Sequence, residues 1–426
     1  MRRLVYFEPE CGYSCRRSNR RQYPVRYCNS FNPNMKHLVI TIALLLPRML
    51  FAQNNNPSEL TFATYNVSME AENYVPKGTK DISEQVLVKE LASGTNPQIR
   101  NIARIIKTVR PDVILLNEFD YIADPQQGVL QFVKAYLNVD SDGAKAIDYP
   151  YYYYGTSNTG QPSPFDLDNN GKTERFGADA WGFGVYPGQY AMVLLSKYPI
   201  ETDQVRTFQH FKWKDMPQAL QTKKPDGSDW YAPEAWQQFP LSSKSHWDVP
   251  VKVGAKTIHF LASHPTPPSF DGAEDRNGKR NHDEIRFWKD YISGEQGAYI
   301  YDDKETRGAL APDASFVILG DQNASPDEGN AIGEGIKSLL SHPKINNDAT
   351  PASKGGFEHS SSNPFAKTHT AVWRMRADYV LPSRAGLKFI DSGVFWPAKG
   401  EPLAELVEKR ESSSDHRLVW VKVSLD

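Results

Sequence analysis

An α/β domain is the fold class that this 426-residue sequence predicts, and three observations carry the prediction. Apolar runs of strand length recur from Leu60 to the C-terminus, several of them too uniformly apolar to have a wet face. Amphipathic stretches of helical period lie between them. No internal repeat and no compositional break divides the chain after Pro57, so one domain running to Asp426 is the economical reading. With 39% hydrophobic and 23% charged residues, the chain has enough apolar surface to bury a sizeable core.

In chain order, the first segment is not part of that domain. All three cysteines, Cys11, Cys15 and Cys28, fall within an Arg-rich stretch of 34 residues without apolar periodicity, which is read as a disordered segment upstream of a true start at Met35. From Met35, "MKHLVITIALLLPRMLFAQ" has a short basic region, an apolar stretch from Leu38 to Leu46 and a cleavage point near Ala52, the pattern of a signal peptide over 35–52. Its apolar run is too short to span a bilayer, so a secreted or periplasmic protein with no stable membrane insertion after cleavage is expected. A polar linker over 53–60 then leads into a domain over 61–426 that has no thiol. Neither a disulfide framework nor a Cys-ligated zinc site is therefore expected in it.

The strands expected in that domain are "LTFATYNV", "DVILLNEF", "YAMVLLS", "WDVPVKV", "TIHFLASH", "SFVILGD", "ADYVLPS" and "HRLVWVKVSL". Between the first two, "NPQIRNIARIIKTVRP" puts Ile99, Ile102, Ile105, Ile106 and Val109 on one helical stripe that Pro111 stops. A second helix is expected to begin at "NHDEIRFWKDYI", where Asn281 and Glu284 have capping-box spacing. Two long aperiodic segments rich in Gly, Pro, Trp and Tyr, 149–188 and 207–245, are expected to be functional rims.

The ends of the strands are where the chemistry lies. "SFVILGDQNASP" leaves its apolar run at Asp321 and Asn323, "FATYN" ends in Asn66, "VILLNE" in Glu118 and "IHFLASH" in His264; Asp378 opens "DYVLP", and Asp415 and His416 precede the last strand. One such residue usually closes a turn. Six strands delivering Asp, Glu, Asn or His to one edge make a polyacidic patch, and carboxylates repel one another in low dielectric unless a cation sits among them. Oxygen donors without thiols favour Mg²⁺ or Mn²⁺, with Ca²⁺ as the alternative. The formal net charge of −2 gives no global basic field for holding nucleic acid.

The ordered blocks "LLNEF", "SKYPI", "GDQNASP", "ADYVLPS" and "SSDHRLV" resemble the signatures of the endonuclease/exonuclease/phosphatase superfamily, of deoxyribonuclease I-like fold. The resemblance implies a four-layer α/β sandwich, two central mixed sheets flanked by helices, with the site at one end of the sheets. It also implies roles: Glu118 as principal metal ligand supported by Asn66 and Asp415, Asp321 orienting or deprotonating the attacking water, and Asn323 holding that water or a phosphate oxygen. By the same resemblance His416, partnered by Asp378, stabilises the transition state or protonates the leaving oxygen, and His264 contacts phosphate. One departure stands out. Deoxyribonuclease members carry a carboxylate that pairs with the counterpart of His264, where this sequence has Gln189 or Tyr190.

Weaker features stay open at this level. Asp166, Asp168 and Asn170 with Gly171 form the first half of an EF-type calcium loop, but the twelfth position is Gly177, so a plain Asx-rich turn reads equally well. Arg276 and Arg280 in the loop after His264, Lys244 and His246 before a strand, and Tyr190 are candidate substrate contacts as well as candidate packing residues. His359 and His369 read as surface or packing residues, and the aromatics at Tyr151 to Tyr154, Trp181 and Trp230 could stack a base or pack the rims. The function expected is a secreted, monomeric, divalent-metal-dependent phosphoesterase acting on phosphate esters by in-line attack of water. An extracellular nuclease is the alternative, and a noncatalytic binding module the third reading.

Overall fold

The structure, a computed structural model, describes residues 59–348 and 350–426. The upstream segment, the signal-peptide pattern and all but the end of the linker lie outside the described residues, and Leu60 already belongs to the first strand.

Eleven strands form two mixed sheets among the described residues. They are β1 (Leu60–Met69), β2 (Val113–Phe119), β3 (Tyr151–Tyr154), β4 (Met192–Ser196), β5 (Arg206–Thr207), β6 (His246–Val253), β7 (Lys256–Ser263), β8 (Ser315–Asp321), β9 (Asp378–Pro382), β10 (Leu387–Val394) and β11 (Val419–Leu425). One sheet has the order β10-β11-β1-β2-β4-β3 and the other β5-β6-β7-β8-β9. Each contains one parallel pair, β1 with β2 and β7 with β8, and every other pairing is antiparallel. A parallel pair needs a crossover. Helices α1 (Gln85–Ser93) and α2 (Pro97–Val109) make the first; after the short α3 (Val129–Phe132) and α4 (Pro233–Gln238), α5 (Arg276–Tyr291) makes the second. The chain then adds α6 (Glu334–Leu340) and α7 (Lys354–His359).

Burial explains the layering. On α2 the expected stripe is real: Ile99, Ile102, Ile105 and Ile106 are fully buried, each contributing roughly 1.5–3 kcal/mol relative to exposure. Pro97 at the first turn and the Asn96 side chain, which accepts from the N–H groups of Gln98 and Ile99, start this helix. Its stripe joins a core with the six-stranded sheet and the inner face of the five-stranded one, where the Phe62 and Phe260 rings meet edge to face at 5.1 Å. A second core holds Ile285, Trp288 and Tyr291 of α5 and Ile336 of α6 against Leu261, Phe316 and Ile318 of the five-stranded sheet. The result is the four-layer α/β sandwich, with helices outside both sheets.

One local expectation is corrected, and other elements are filled in. Helix α5 starts at Arg276, so Asn281 and Glu284 lie inside it and cap nothing. Both are fully buried and tie loops instead: the Asn281 amide donates to the Thr266 and Gln322 carbonyls at 2.8 and 2.9 Å, and Glu284 accepts the Ser243 and Thr266 N–H groups, each at 2.6 Å. The segment 149–188 contains edge strand β3, and 207–245 is packed through Trp213, Tyr231 and Phe239 into the second core. Edge strand β10 was not among the expected strands because its burial is mixed.

This topology determines where the polar residues gather. The C-terminal ends of the parallel strands β1 and β2 share one edge, with Asn66 paired to Asn117, and β7 and β8 do the same on the other sheet. Antiparallel partners reach that edge with their N-terminal ends: Asp378 opens β9 opposite Asp321, and His416 precedes β11.

Candidate active site

Asp321 is the centre of this edge. One of its oxygens, Oδ2, accepts from the Asn66 amide at 3.1 Å and lies 3.4 Å from His264 Nε2 and 3.5 Å from His416 Nε2. The other, Oδ1, accepts the Asn323 N–H at 2.9 Å, and the Asp321 N–H donates to Asn117 Oδ1 at 3.2 Å. Burial would push this carboxyl up, but the imidazoles of His416 and His264 and the Asn323 N–H outweigh it and hold the carboxyl well below the usual carboxylate range.

His416 forms the other half of the arrangement. Its Nδ1 sits 2.9 Å from Asp378 Oδ2, which also accepts the Thr370 hydroxyl at 2.6 Å, so Nε2 is the nitrogen left facing Asp321. Burial opposes charge on the ring, but Asp378 and Asp321 overcome it and raise the His416 pKa to about 10. Trp373 meets the same ring edge to face at 4.6 Å while remaining 44% exposed.

Backbone conformation at this edge is unusual. Ser68, Glu118, Tyr190 and Asn323 all have φ between 47° and 58°, which side chains other than Gly rarely adopt, and strain of this kind concentrates at functional sites. Gly320, at φ +140°, is required where it stands, since a Cβ there would lie 2.0 Å from the Ser263 carbonyl oxygen. Gly320→Ala is expected to cost about 3 kcal/mol or more, combining overpacking and backbone strain, read as a lower urea midpoint at unchanged m-value.

Glu118, His264 and Asp321 each present a ligand atom within 4.8 Å of the others. Among the described residues nothing donates to the Glu118 carboxylate, and His264 Nε2 is 4.0 Å from it. Burial and the neighbouring Lys244 lower the His264 pKa, and its Nδ1 is buried without a hydrogen-bond partner among the described residues. Gln189 does not supply one: its amide donates to Glu72 at 2.7 Å. Of the other expected ligands, Asn66 gives its oxygen to the Ser68 N–H at 3.2 Å, and Asp415 accepts the Ser68 hydroxyl at 3.0 Å and faces Arg410 at 3.5 Å. Asn66 thus reaches the cluster through Asp321, to which its amide donates, whereas Asp415 is held on Ser68 and Arg410.

The candidate substrate contacts separate clearly. His246 is a packing residue: it is fully buried against Phe287 and Trp288, bonds Ser242 and the Glu284 carbonyl, and has its pKa lowered by burial to about 4. Arg280 spends its guanidinium on the carbonyls of Leu241, Trp181 and Pro240. Tyr190 donates its hydroxyl to Glu72 at 3.2 Å. Lys244, Arg276, Arg280 and Tyr190 all line a cavity that Glu118 and His264 also border. Asp166 and Asp168 meet Asp179, which the sequence reading missed, within 4.8 Å, whereas Asn170 Oδ1 accepts the Lys172 N–H at 2.8 Å. His359 bonds the Val372 carbonyl, and His369 is buried against Glu328.

Sequence reasoning also missed Asn117, Thr370 and Trp373. Asn117 had a signal, a carboxamide beside Glu118 inside an apolar run; Thr370 and Trp373 lie on a loop with no periodicity.

Two mixed sheets with acids and imidazoles from both converging at one edge define an α/β sandwich of the deoxyribonuclease I-like class. The chain belongs to the Endonuclease/Exonuclease/phosphatase family, whose model matches residues 63–416. Similar solved structures include an endonuclease/exonuclease/phosphatase from Beutenbergia cavernae, at 15% identity and TM-score 0.46, covering 86% of this chain and 72% of that one. Sphingomyelinase C from Streptomyces griseocarneus is similar at 15% identity and TM-score 0.42, covering 85% and 99%. A mutant beta toxin from Staphylococcus aureus with bound magnesium ions is similar at 13% identity and TM-score 0.41, covering 86% and 100%. No curated protein matches the chain.

Proposed function

We propose that the chain is a secreted or periplasmic hydrolase of phosphate esters, dependent on a divalent cation, that works by in-line attack of water on phosphorus. The observation that carries this reading is the single Asp321 oxygen flanked by two imidazole Nε2 atoms, 3.4 and 3.5 Å away, beside a Glu118 carboxylate to which no described residue donates. Hard oxygen donors with one imidazole suit Mg²⁺ or Mn²⁺, and Glu118, Asp321 and His264 are the residues that would hold the ion. Bound there, a divalent cation neutralises phosphoryl oxygens and lowers the pKa of water.

The chain's own groups account for the rest. A carboxyl held as low as that of Asp321 is a poor proton acceptor but a strong hydrogen-bond acceptor, so its part is to orient water for in-line approach. Asn323 lies beside it, with its amide on the Pro265 carbonyl at 3.2 Å, in position to fix a phosphate oxygen. His416, charged and aimed by Asp378, places a cation and a proton where negative charge develops on the leaving oxygen.

The test is a hydrolysis panel with bis-aryl phosphate, aryl monophosphate, plasmid DNA and phospholipid under added Mg²⁺, Mn²⁺ or Ca²⁺. Turnover is expected on small esters, to vanish with chelator and to return with Mg²⁺ or Mn²⁺. Glu118→Gln is expected to raise the Mg²⁺ concentration for half-maximal rate by about 10–100-fold, since one anionic ligand is lost. Rates indifferent to chelator would overturn the proposal. Turnover confined to plasmid DNA with steep salt dependence would establish the nuclease alternative.

A further inference from the structure

We infer that the cavity beside Glu118 and His264 receives the organic group of the phosphate ester and selects for a ring-sized apolar one, an inference that rests on the hydrolase reading above. The cavity measures about 520 Å³, the scale of a site that encloses a small organic ligand. Glu118 and His264 belong both to its wall and to the acid–imidazole cluster, so a phosphate at that cluster carries one substituent directly into it.

Much of its wall is apolar. Tyr231 and Phe239, buried with their ring centroids 4.7 Å apart, form the inner surface and belong to the second core, which makes that surface rigid. Phe183 and Phe270 also line the cavity yet are 60% and 89% exposed, so large apolar faces stand at its mouth uncovered by the described chain. Phe270 is held there against its own preference. Its φ is +65°, and the loop around it is pinned by Asn277 of α5, whose amide donates to the Ser269 carbonyl at 2.6 Å and whose N–H donates to Asp271 at 2.7 Å.

The charges fit a phosphate ester with such a group. Lys244 is 5% exposed, and among the described residues its ammonium bonds the Pro265 carbonyl alone, at 3.5 Å, leaving donors for an anion. Arg276 lies over the Trp230 ring at 5.6 Å and is paired with Glu274. The cavity therefore has cations beside the phosphate position and aromatic surface beyond it.

Calorimetric titration of the protein in Mg²⁺ with phenylphosphonate, methylphosphonate and inorganic phosphate tests this without requiring turnover. Phenylphosphonate is expected to bind at least about tenfold more tightly than methylphosphonate, the discrimination an apolar pocket gives for added hydrocarbon. The double variant Phe183→Ser, Phe270→Ser, chosen because both side chains are exposed, is expected to cut that ratio to about threefold or less, in proportion to the apolar surface removed, with inorganic phosphate affinity unchanged. Equal affinities for the two phosphonates, or a preference that survives the double variant, would overturn the inference. Aryl preference in a protein that hydrolyses no ester would support the cavity and refute the hydrolase reading; hydrolysis without the preference would do the reverse.

Discussion

Replacing Asp321 with asparagine is expected to lower kcat/KM for a small phosphodiester by roughly 10²–10³-fold, the scale at which a positioned charge that orients the reacting water acts. The side chain keeps its shape, so the loss comes from charge and hydrogen-bond polarity. The groups within 3.5 Å of the Asp321 carboxylate are donors or cations: Asn66, the Asn323 N–H, His264 and His416. An amide there turns an N–H group towards at least one of them. Steady-state kinetics at saturating Mg²⁺, with near-UV circular dichroism as the check on folding, gives the result. Turnover within about tenfold of the parent would remove Asp321 from the mechanism.

The second large effect concerns Asp378→Asn. Asp378 never faces the substrate side directly; it holds His416 Nδ1 at 2.9 Å and is fully buried. Its loss is expected to lower kcat by about 10²–10⁴-fold and to move the alkaline limb of the pH profile downwards. In the parent the His416 pKa is raised to about 10, so the protonated ring persists through neutral pH and is lost as pH rises through that value. Without Asp378 the largest raising influence disappears, while burial still pulls the value towards or below the ordinary histidine value of about 6.5. The same sign holds for the stability that His416 contributes, which fades as pH rises through its folded value; at the acid end the pair is lost when Asp378, raised by burial to about 6, takes up a proton. An unmoved alkaline limb would show that another group sets it.

How far the sequence reached follows from what burial makes visible. A strand covered on both faces cannot hide Asp, Glu or His in its interior, so Glu118, His264, Asp321 and Asp378 were legible as interruptions of apolar runs. Helix α2 was legible because one face is wet and the other dry. The edge strands were not: β3 is four tyrosines with no alternation, and β10 is paired on one side and mixed in burial. Asn281 and Glu284 show how spacing misleads when the partners are distant in sequence, since their bonds go to Thr266, Gln322 and Ser243. Thr370 reaches Asp378, and Trp373 reaches His416, through a loop whose path no local pattern encodes.

The site straddles the seam between the two sheets, with Asn66, Asn117 and Glu118 on one side and His264, Asp321 and Asp378 on the other. The thickness of the apolar filling in that seam is thus a gauge for the reaction. A bulkier or leaner hydrocarbon near Phe62 and Phe260, remote from any polar atom of the centre, would spread or close the two halves like jaws and detune the water's line of approach to phosphorus.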